Sequence, residues 1–194
     1  MRLVKIKFLA VAILLSFLCG FLGFSSCVSG AKSRERLHAY LTDTSRYVLL
    51  PTTDIGKSID MPQSISASFG GQDLFLVAWV KADETVLEMT LLNEMGTNIG
   101  ELSYSDETLS FSSAVFPASV RPEYIVADFQ LCFYNTVSIA RALKDCGMNM
   151  EISGITRRIF KGNDLIYEIT NNSEAVRLTN HLRGYTYTLE GDFS

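Results

Sequence analysis

One long amphipathic segment, residues 121–147, lies between two groups of segments that have the two-residue alternation of β-strands. Pro122 and Glu123 predict a helix start, because a first turn accepts proline and an acid suits the positive end of the helix dipole. Gly147 predicts its end. The apolar residues of this helix recur at spacings of three and four: Ile125, Phe129, Cys132, Phe133, Thr136, Ile139, Ala140 and Leu143. The predicted helix therefore needs an apolar surface to pack on.

The two strand groups can supply that surface. Residues 64–69 alternate strictly between serine and apolar residues, and Gly70 and Gly71 predict a hairpin turn after them. Residues 74–80 are apolar on both faces, which predicts a central strand covered on both sides. Further alternating segments lie at residues 87–91, 102–104, 109–111, 155–160, 165–169, 176–178 and 185–189. We expect nine or ten strands, mostly antiparallel because the links between them are short.

The pattern predicts a mainly β fold of the α+β class. The strands before and after the helix each offer one apolar face, so the economical arrangement is a strongly curved antiparallel sheet that holds one long helix on its concave side. An open barrel around one long helix satisfies both patterns.

The N-terminus has the layout of a lipoprotein signal peptide. Three basic residues among the first seven precede an apolar run, residues 8–24, that ends in Ser25, Ser26 and Cys27. Small residues before a cysteine suit the signal peptidase, so we expect cleavage before Cys27 and lipidation of its thiol. An uncleaved membrane anchor is an alternative that the length of the run allows, since about 18 apolar residues can span a bilayer.

These features divide the chain into a signal peptide (1–26), a lipidated cysteine with a polar tether (27–45) and a single domain (46–194). One or two helical turns are expected in the tether, around residues 34–40. Removal of residues 1–26 leaves 168 residues, enough for one ordinary domain with a core. It also changes the net charge from −4 to −7. An acidic domain without a basic stripe argues against nucleic acid as a partner.

The sequence offers little catalytic chemistry. Its two histidines, His38 and His181, stand apart from any cluster with metal-ligand spacing. No Gly-x-Ser-x-Gly elbow occurs, and Gly70 and Gly71 precede a strand rather than a phosphate-binding helix. We therefore expect no enzymatic activity, no metal and no cofactor, with a hydrolase as the distant alternative.

Three side chains of the predicted helix raise structural questions. Asp128 lies among apolar neighbours; if buried, it needs a partner, for which Arg157 or Arg158 is the candidate. Cys132 and Cys146 are about 21 Å apart along a continuous helix. A disulfide needs a much shorter separation, so we expect both thiols to be free.

Several stretches resemble known families. Residues 91–97 (LLNEMGT) and 100–102 (GEL) resemble a hairpin of the LolB-like outer-membrane lipoproteins. With residues 69–72 (FGGQ) and 122–131 (PEYIVADFQL), they resemble an uncharacterised lipoprotein family, a domain of unknown function often encoded beside aryl polyene biosynthesis genes. This resemblance implies a LolB- or LolA-like open barrel that faces the periplasm.

Localisation follows from the same resemblance. Val28 and Ser29 follow the predicted lipidated cysteine, without the aspartate that retains lipoproteins in the inner membrane. By resemblance to sorted lipoproteins, this favours a lipid anchor in the outer membrane of a bacterial cell envelope.

The function expected from these observations is the binding or carriage of a hydrophobic lipidic ligand (acyl chains, a lipoprotein or an aryl-polyene-type lipid) in a concave apolar cavity. Such a ligand would be held mainly by burial of its surface, at about 25 cal/mol per Å². The candidate lining residues, which would otherwise be ordinary core, are Phe69, Phe75, Leu87, Met89, Leu91, Phe111, Phe129, Phe133 and Tyr167.

The alternative function is a non-catalytic assembly or scaffold lipoprotein that binds protein partners. It predicts an interior filled by the helix and an exposed apolar patch. The expected partners are thus a lipidic ligand, the membrane through the anchor, and proteins of an envelope export or assembly system.

Overall fold

The computed structural model describes residues 36–114, 116 and 120–193, which form twelve strands, two α-helices and one short 3-10 helix. The strands are β1 His38–Tyr40, β2 Arg46–Val48, β3 Ile59–Phe69, β4 Gln72–Ala82, β5 Leu87–Leu92, β6 Asn98–Ser105, β7 Thr108–Ser113, β8 Asn149–Ser153, β9 Thr156–Lys161, β10 Asp164–Asn171, β11 Ala175–Asn180 and β12 Tyr185–Glu190. The helices are α1 Pro122–Phe133 and α2 Thr136–Asp145, and the 3-10 helix is Thr52–Asp54. The predicted signal peptide, Cys27 and the first part of the tether lie outside the described residues and stay predictions.

Ten of the strands form one antiparallel sheet in the order β7-β6-β5-β4-β3-β12-β11-β10-β9-β8. Strands β3 to β7 form one meander of consecutive strands and β8 to β12 form another, and the pairing of β12 with β3 joins the two meanders. The strands β7 and β8 stand at opposite edges, so the sheet is not closed. The mainly β, antiparallel prediction is confirmed, with more strands in the described residues than the nine or ten expected.

The sheet curves around α1. This helix contacts β7 at one edge and also β11, which stands six strands away in the sheet. In a flat sheet those two strands would lie about 29 Å apart at a spacing of about 4.8 Å. The twelve residues of α1 make a helix about 18 Å long and about 10–12 Å across. Its contacts with both strands, together with the burial of all seven residues from Val126 to Cys132, are consistent with a sheet that curves around it.

The prediction of a single long helix is wrong, because the helix is interrupted at Tyr134 and Asn135, between α1 and α2. Asn135 caps α2, its Oδ1 accepting a hydrogen bond from the N–H of Val137 at 2.9 Å. Residues 54–56 stabilise this interruption through two backbone hydrogen bonds. The N–H of Asn135 donates to the carbonyl of Asp54 at 2.9 Å, and the N–H of Gly56 donates to the carbonyl of Phe133 at 3.3 Å. These backbone groups are thereby paired outside any helix.

Helix α1 fills the concave face of the sheet. All seven residues from Val126 to Cys132 are buried, as expected for a helix that is covered on all sides. The buried side chains of the sheet include Leu76, Ala78, Val80, Leu87, Met89, Leu91, Leu102, Tyr167, Ile169 and Leu178. The core of the domain is therefore the space between α1 and the sheet.

The folded domain begins earlier than residue 46. β1 lies in the segment predicted as tether, and Ala39 and Leu41 are buried. The helical turns expected around residues 34–40 are wrong for His38–Tyr40, which is a strand paired with β2. The guanidinium of Arg183 donates to the carbonyl of Leu41 at 3.3 Å, which attaches this segment to the loop before β12.

Neither helix within the described residues combines the length and the apolar character needed to cross a bilayer.

Candidate functional site

The predicted cavity-lining residues lie in different parts of the fold. Leu87, Met89, Leu91, Phe129 and Tyr167 are all buried and belong to the packed core around α1. None of these five lines either of the two clefts described below. Core packing is therefore the role the structure supports for them.

The other four predicted residues lie in different places. Phe111 is partly buried and packs on Phe116, with ring centroids 6.2 Å apart. Phe133 is partly buried at the C-terminal end of α1 and lines a cleft. Phe69 belongs to β3, but its side chain lies outside the described part of the chain.

The prediction for Phe75 needs a correction, because β4 is not covered on both faces. Leu76 and Ala78 face the core, whereas Phe75 and Trp79 lie on the opposite face with 52% and 50% of their surfaces exposed. Neighbouring side chains of a strand point to opposite faces, so Phe75 and Leu76 cannot both face the core. Phe75 thus cannot line the concave side.

A cleft of about 400 Å³ lies at the C-terminal end of α1; we call it the end cleft. Its walls are Gly56, Lys57, Ser58, Ile59, Asp60, Met61, Cys132, Phe133, Tyr134, Arg157, Asn171, Asp192 and Phe193. The rings of Phe133 and Phe193 pack against each other with centroids 5.4 Å apart. The end cleft combines an apolar wall with several charged groups at its border.

Arg157 in the end cleft has a structural role as well. Its guanidinium donates to the carbonyl of Leu131 and, at 3.2 Å, to Oγ1 of Thr136, so it bridges the break between α1 and α2. Burial lowers its pKa. The expected pairing of Asp128 with Arg157 or Arg158 is wrong, since Arg158 forms an ion pair with a glutamate of β10 at 2.7 Å.

Asp128 instead lies in a buried cluster of tyrosines. Its Oδ2 accepts a hydrogen bond from the hydroxyl of Tyr185 at 2.6 Å, while Oδ1 has no hydrogen-bond partner among the described residues. Burial raises the pKa of Asp128 to about 7, although the Tyr185 hydrogen bond and the charge of Arg183 oppose the shift. This carboxyl is therefore partly protonated near neutral pH.

The cluster joins α1 to the hairpin between β11 and β12. Nδ2 of Asn180 donates to the hydroxyl of Tyr185 at 3.2 Å, and its Oδ1 accepts from the N–H of Arg183 at 2.8 Å. The Arg183 guanidinium lies 4.7 Å from the ring centroid of Tyr124 in the first turn of α1. Neither Asp128 nor Tyr185 lines either cleft, so this acid is not presented to a substrate there.

Gln130 forms a second buried polar contact that the sequence reasoning missed. Its Oε1 accepts from the N–H of Leu50 at 2.9 Å, and its Nε2 donates to the carbonyl of Leu50 at 2.8 Å. That carbonyl also accepts from the hydroxyl of Tyr104 at 2.8 Å. The amide of Gln130 thus pairs the backbone N–H and carbonyl of Leu50, as a neighbouring strand would do. A glutamine between the apolar residues Phe129 and Leu131 was the available signal.

A larger cleft of about 570 Å³ lies between the β2 region and α2; we call it the arginine cleft. Its walls are Arg36, Thr44, Arg46, Val48, Leu49, Leu50, Pro51, Asp54, Ser138, Arg141, Ala142, Asp145 and Cys146. Sequence reasoning missed this site because its two sides lie about ninety residues apart in the chain. No local motif links them.

Metal and thiol chemistry are sparse in the described residues. There, no group of three or more His, Cys, Asp or Glu side chains is placed to hold a metal ion. Cys132 and Cys146 are free, as predicted, although the reason differs because the helix between them is broken.

Comparison with known proteins gives one family. No curated protein matches the chain. Residues 60–191, which cover nearly the whole ten-stranded sheet and both helices, match a family model described as "Protein of unknown function (DUF3261)".

Proposed function

We propose that this chain, which belongs to the DUF3261 family of proteins of unknown function, is a non-catalytic outer-membrane lipoprotein that binds a hydrophobic lipidic ligand. Its anchor is the acylated Cys27, and its domain is a LolB-like open barrel in the periplasm. The unclosed, antiparallel sheet that bends around α1 supports the barrel part of this proposal.

The ligand site of this proposal is the end cleft. A lipid on the concave face of the sheet would have to displace α1, whose residues from Val126 to Cys132 are all buried there. The end cleft needs no such rearrangement, and its volume of about 400 Å³ lies within the usual range for ligand sites. The paired rings of Phe133 and Phe193 are the observation that carries the proposal, because they offer an apolar wall at an accessible place.

The polar border of the end cleft limits the ligand class. Lys57 and Arg157 supply positive charge, whereas Asp60 and Asp192 supply negative charge. A border that carries charges of both signs favours an amphiphile, because its polar end can lie beside charged groups while its apolar part contacts the two rings.

Native mass spectrometry of the chain without residues 1–27 tests this function. The wild-type domain is expected to carry co-purified lipid or to take up lipid on incubation. Met61→Trp, on the wall of the end cleft, should reduce the lipid-bound fraction at least fivefold. Met95→Trp is the matched control, because Met95 is 85% exposed in the hairpin between β5 and β6. Equal lipid binding by both variants would refute the end cleft as the site.

The scaffold function is the second candidate, and one observation favours it. Phe75 and Trp79 are half exposed on the outer face of β4, with Val77 between them and Leu92 paired beside Val77 on β5. This apolar strip supports the scaffold function, because an exposed apolar patch is a feature of protein-binding surfaces. Phe75→Ser combined with Val77→Ser should then abolish cross-linking to an envelope protein in cells while lipid binding by the domain is unchanged. Trp79 is kept, because its Nε1 donates to Oδ1 of Asp60, a wall residue of the end cleft, at 2.9 Å. Unchanged cross-linking would reject this candidate.

A further inference from the structure

The arginine cleft is positively charged within an acidic protein. Arg36, Arg46 and Arg141 face two carboxylates there, Asp54 and Asp145, which leaves a formal charge of +1. The whole chain has a net charge of −4. An anion that approaches this protein is therefore attracted to this cleft more than to the average surface.

Local structure positions two of the three arginines. Arg46 lies in β2, and its Nη2 is 3.2 Å from Nδ1 of His38 in the paired strand, which orients the guanidinium. Arg141 lies on α2 one turn after Ser138, so both side chains reach the same side of the helix. In the described part of the chain, neither Arg36 nor Arg141 forms an ion pair with a carboxylate.

The chemistry of the walls suits a phosphate with an attached apolar group. Guanidinium groups bind phosphate oxygens through paired N–H donors, and the hydroxyls of Thr44 and Ser138 can add further hydrogen bonds. Val48 and Pro51 give the same cleft apolar walls. A free inorganic anion would leave that apolar part unused.

We propose that the arginine cleft binds the phosphate of an anionic membrane-lipid head group. The proposed anchor identifies the lipid source: Arg36 follows Cys27 by nine positions in the chain, and such a segment spans at most about 32 Å. An acylated Cys27 therefore keeps the arginine cleft close to the bilayer surface. This step rests on the proposed lipidation, whereas affinity for phosphate rests on the cleft alone.

The test uses the full chain, purified in bilayer nanodiscs that contain equal amounts of phosphatidylglycerol and phosphatidylcholine. Native mass spectrometry measures which lipid stays bound after the protein is released from the nanodisc. The wild-type protein is expected to retain phosphatidylglycerol at least threefold over phosphatidylcholine. Arg36→Gln combined with Arg141→Gln should return this ratio to one. Lys144→Gln combined with Arg177→Gln is the matched control, since these exposed cations lie outside the cleft and removing them should leave the ratio unchanged.

A second arm separates the two sources of phosphate. Inorganic phosphate is titrated into the same proteins and followed by the ³¹P resonance of the ligand, with at least tenfold weaker binding expected in the cleft variant than in the control. Phosphate binding without phosphatidylglycerol preference would overturn the lipid source. Equal behaviour of the cleft and control variants in both arms would overturn the site. Loss of the Met61→Trp effect alone would reject the end cleft and leave this proposal standing.

Discussion

Replacement of Asp128 by asparagine should make the stability of the domain less dependent on pH. The folded protein raises the pKa of Asp128 from 3.8 to about 7 because the carboxyl is buried. A group with a raised folded pKa binds its proton more tightly in the folded state, so its contribution is fully present below pH 3.8 and is lost as the pH rises through 7. A shift of this size corresponds to about 4 kcal/mol between those limits.

The assay is urea unfolding of wild type and Asp128→Asn, each without residues 1–27, at several pH values from 5 to 8. Groups common to both proteins cancel in the difference. The variant should therefore gain about 2 kcal/mol relative to wild type between pH 5 and pH 7, with little further change above pH 8. The amide oxygen of the introduced asparagine can still accept the hydrogen bond from Tyr185. Asp73→Asn, at an exposed position of β4, controls for the removal of one acid. A difference that stays constant across this pH range would refute the reasoning.

Three further outcomes follow from the burial of particular groups. Gln130→Met keeps the packing volume but leaves the N–H of Leu50 unpaired, so urea unfolding should show a loss of about 1–3 kcal/mol; an unchanged midpoint would contradict the role of the amide. The single tryptophan, Trp79, is half exposed, so acrylamide should quench its emission in the native state, and a protected emission would contradict that position. Burial raises the pKa of Cys132 to about 12, so in the chain without residues 1–27 iodoacetamide should label the half-buried Cys146 first; mass spectrometry of the digest would expose the opposite order.

Local patterns in the sequence predicted the elements well where the physical signal is local. The serine alternation of residues 64–69 lies within β3, and Gly70 and Gly71 form the turn with φ of 56° and 77°, which glycine accepts without strain. Pro122 and Glu123 mark the start of α1 as expected. Each of these signals depends on a few neighbouring residues, and so it can be read without the fold.

The helix break and the start of the domain could not be read in this way. The apolar stripe continues from Phe133 to Ile139, and the break between them is stabilised by backbone hydrogen bonds to residues 54–56, far away in the chain. Likewise, β1 is short, and its partners include α1 and Arg183, the latter more than 140 residues later in the chain. Long-range partners decide such local conformations.

The same distinction between local signals and long-range contacts applies to the candidate sites. The sequence alone determined that the chain is mainly β with helical structure at its centre, and the alternation in β5 indicated which of its side chains are buried. The tertiary structure decided that α1 fills that side, that Phe75 faces outward, and that the clefts lie at Phe133 and beside Arg141. The physical reason is that periodicity records which face of an element is buried. How completely a helix fills a curved sheet depends on side-chain volumes and on pairings between distant segments, which only the folded chain brings together.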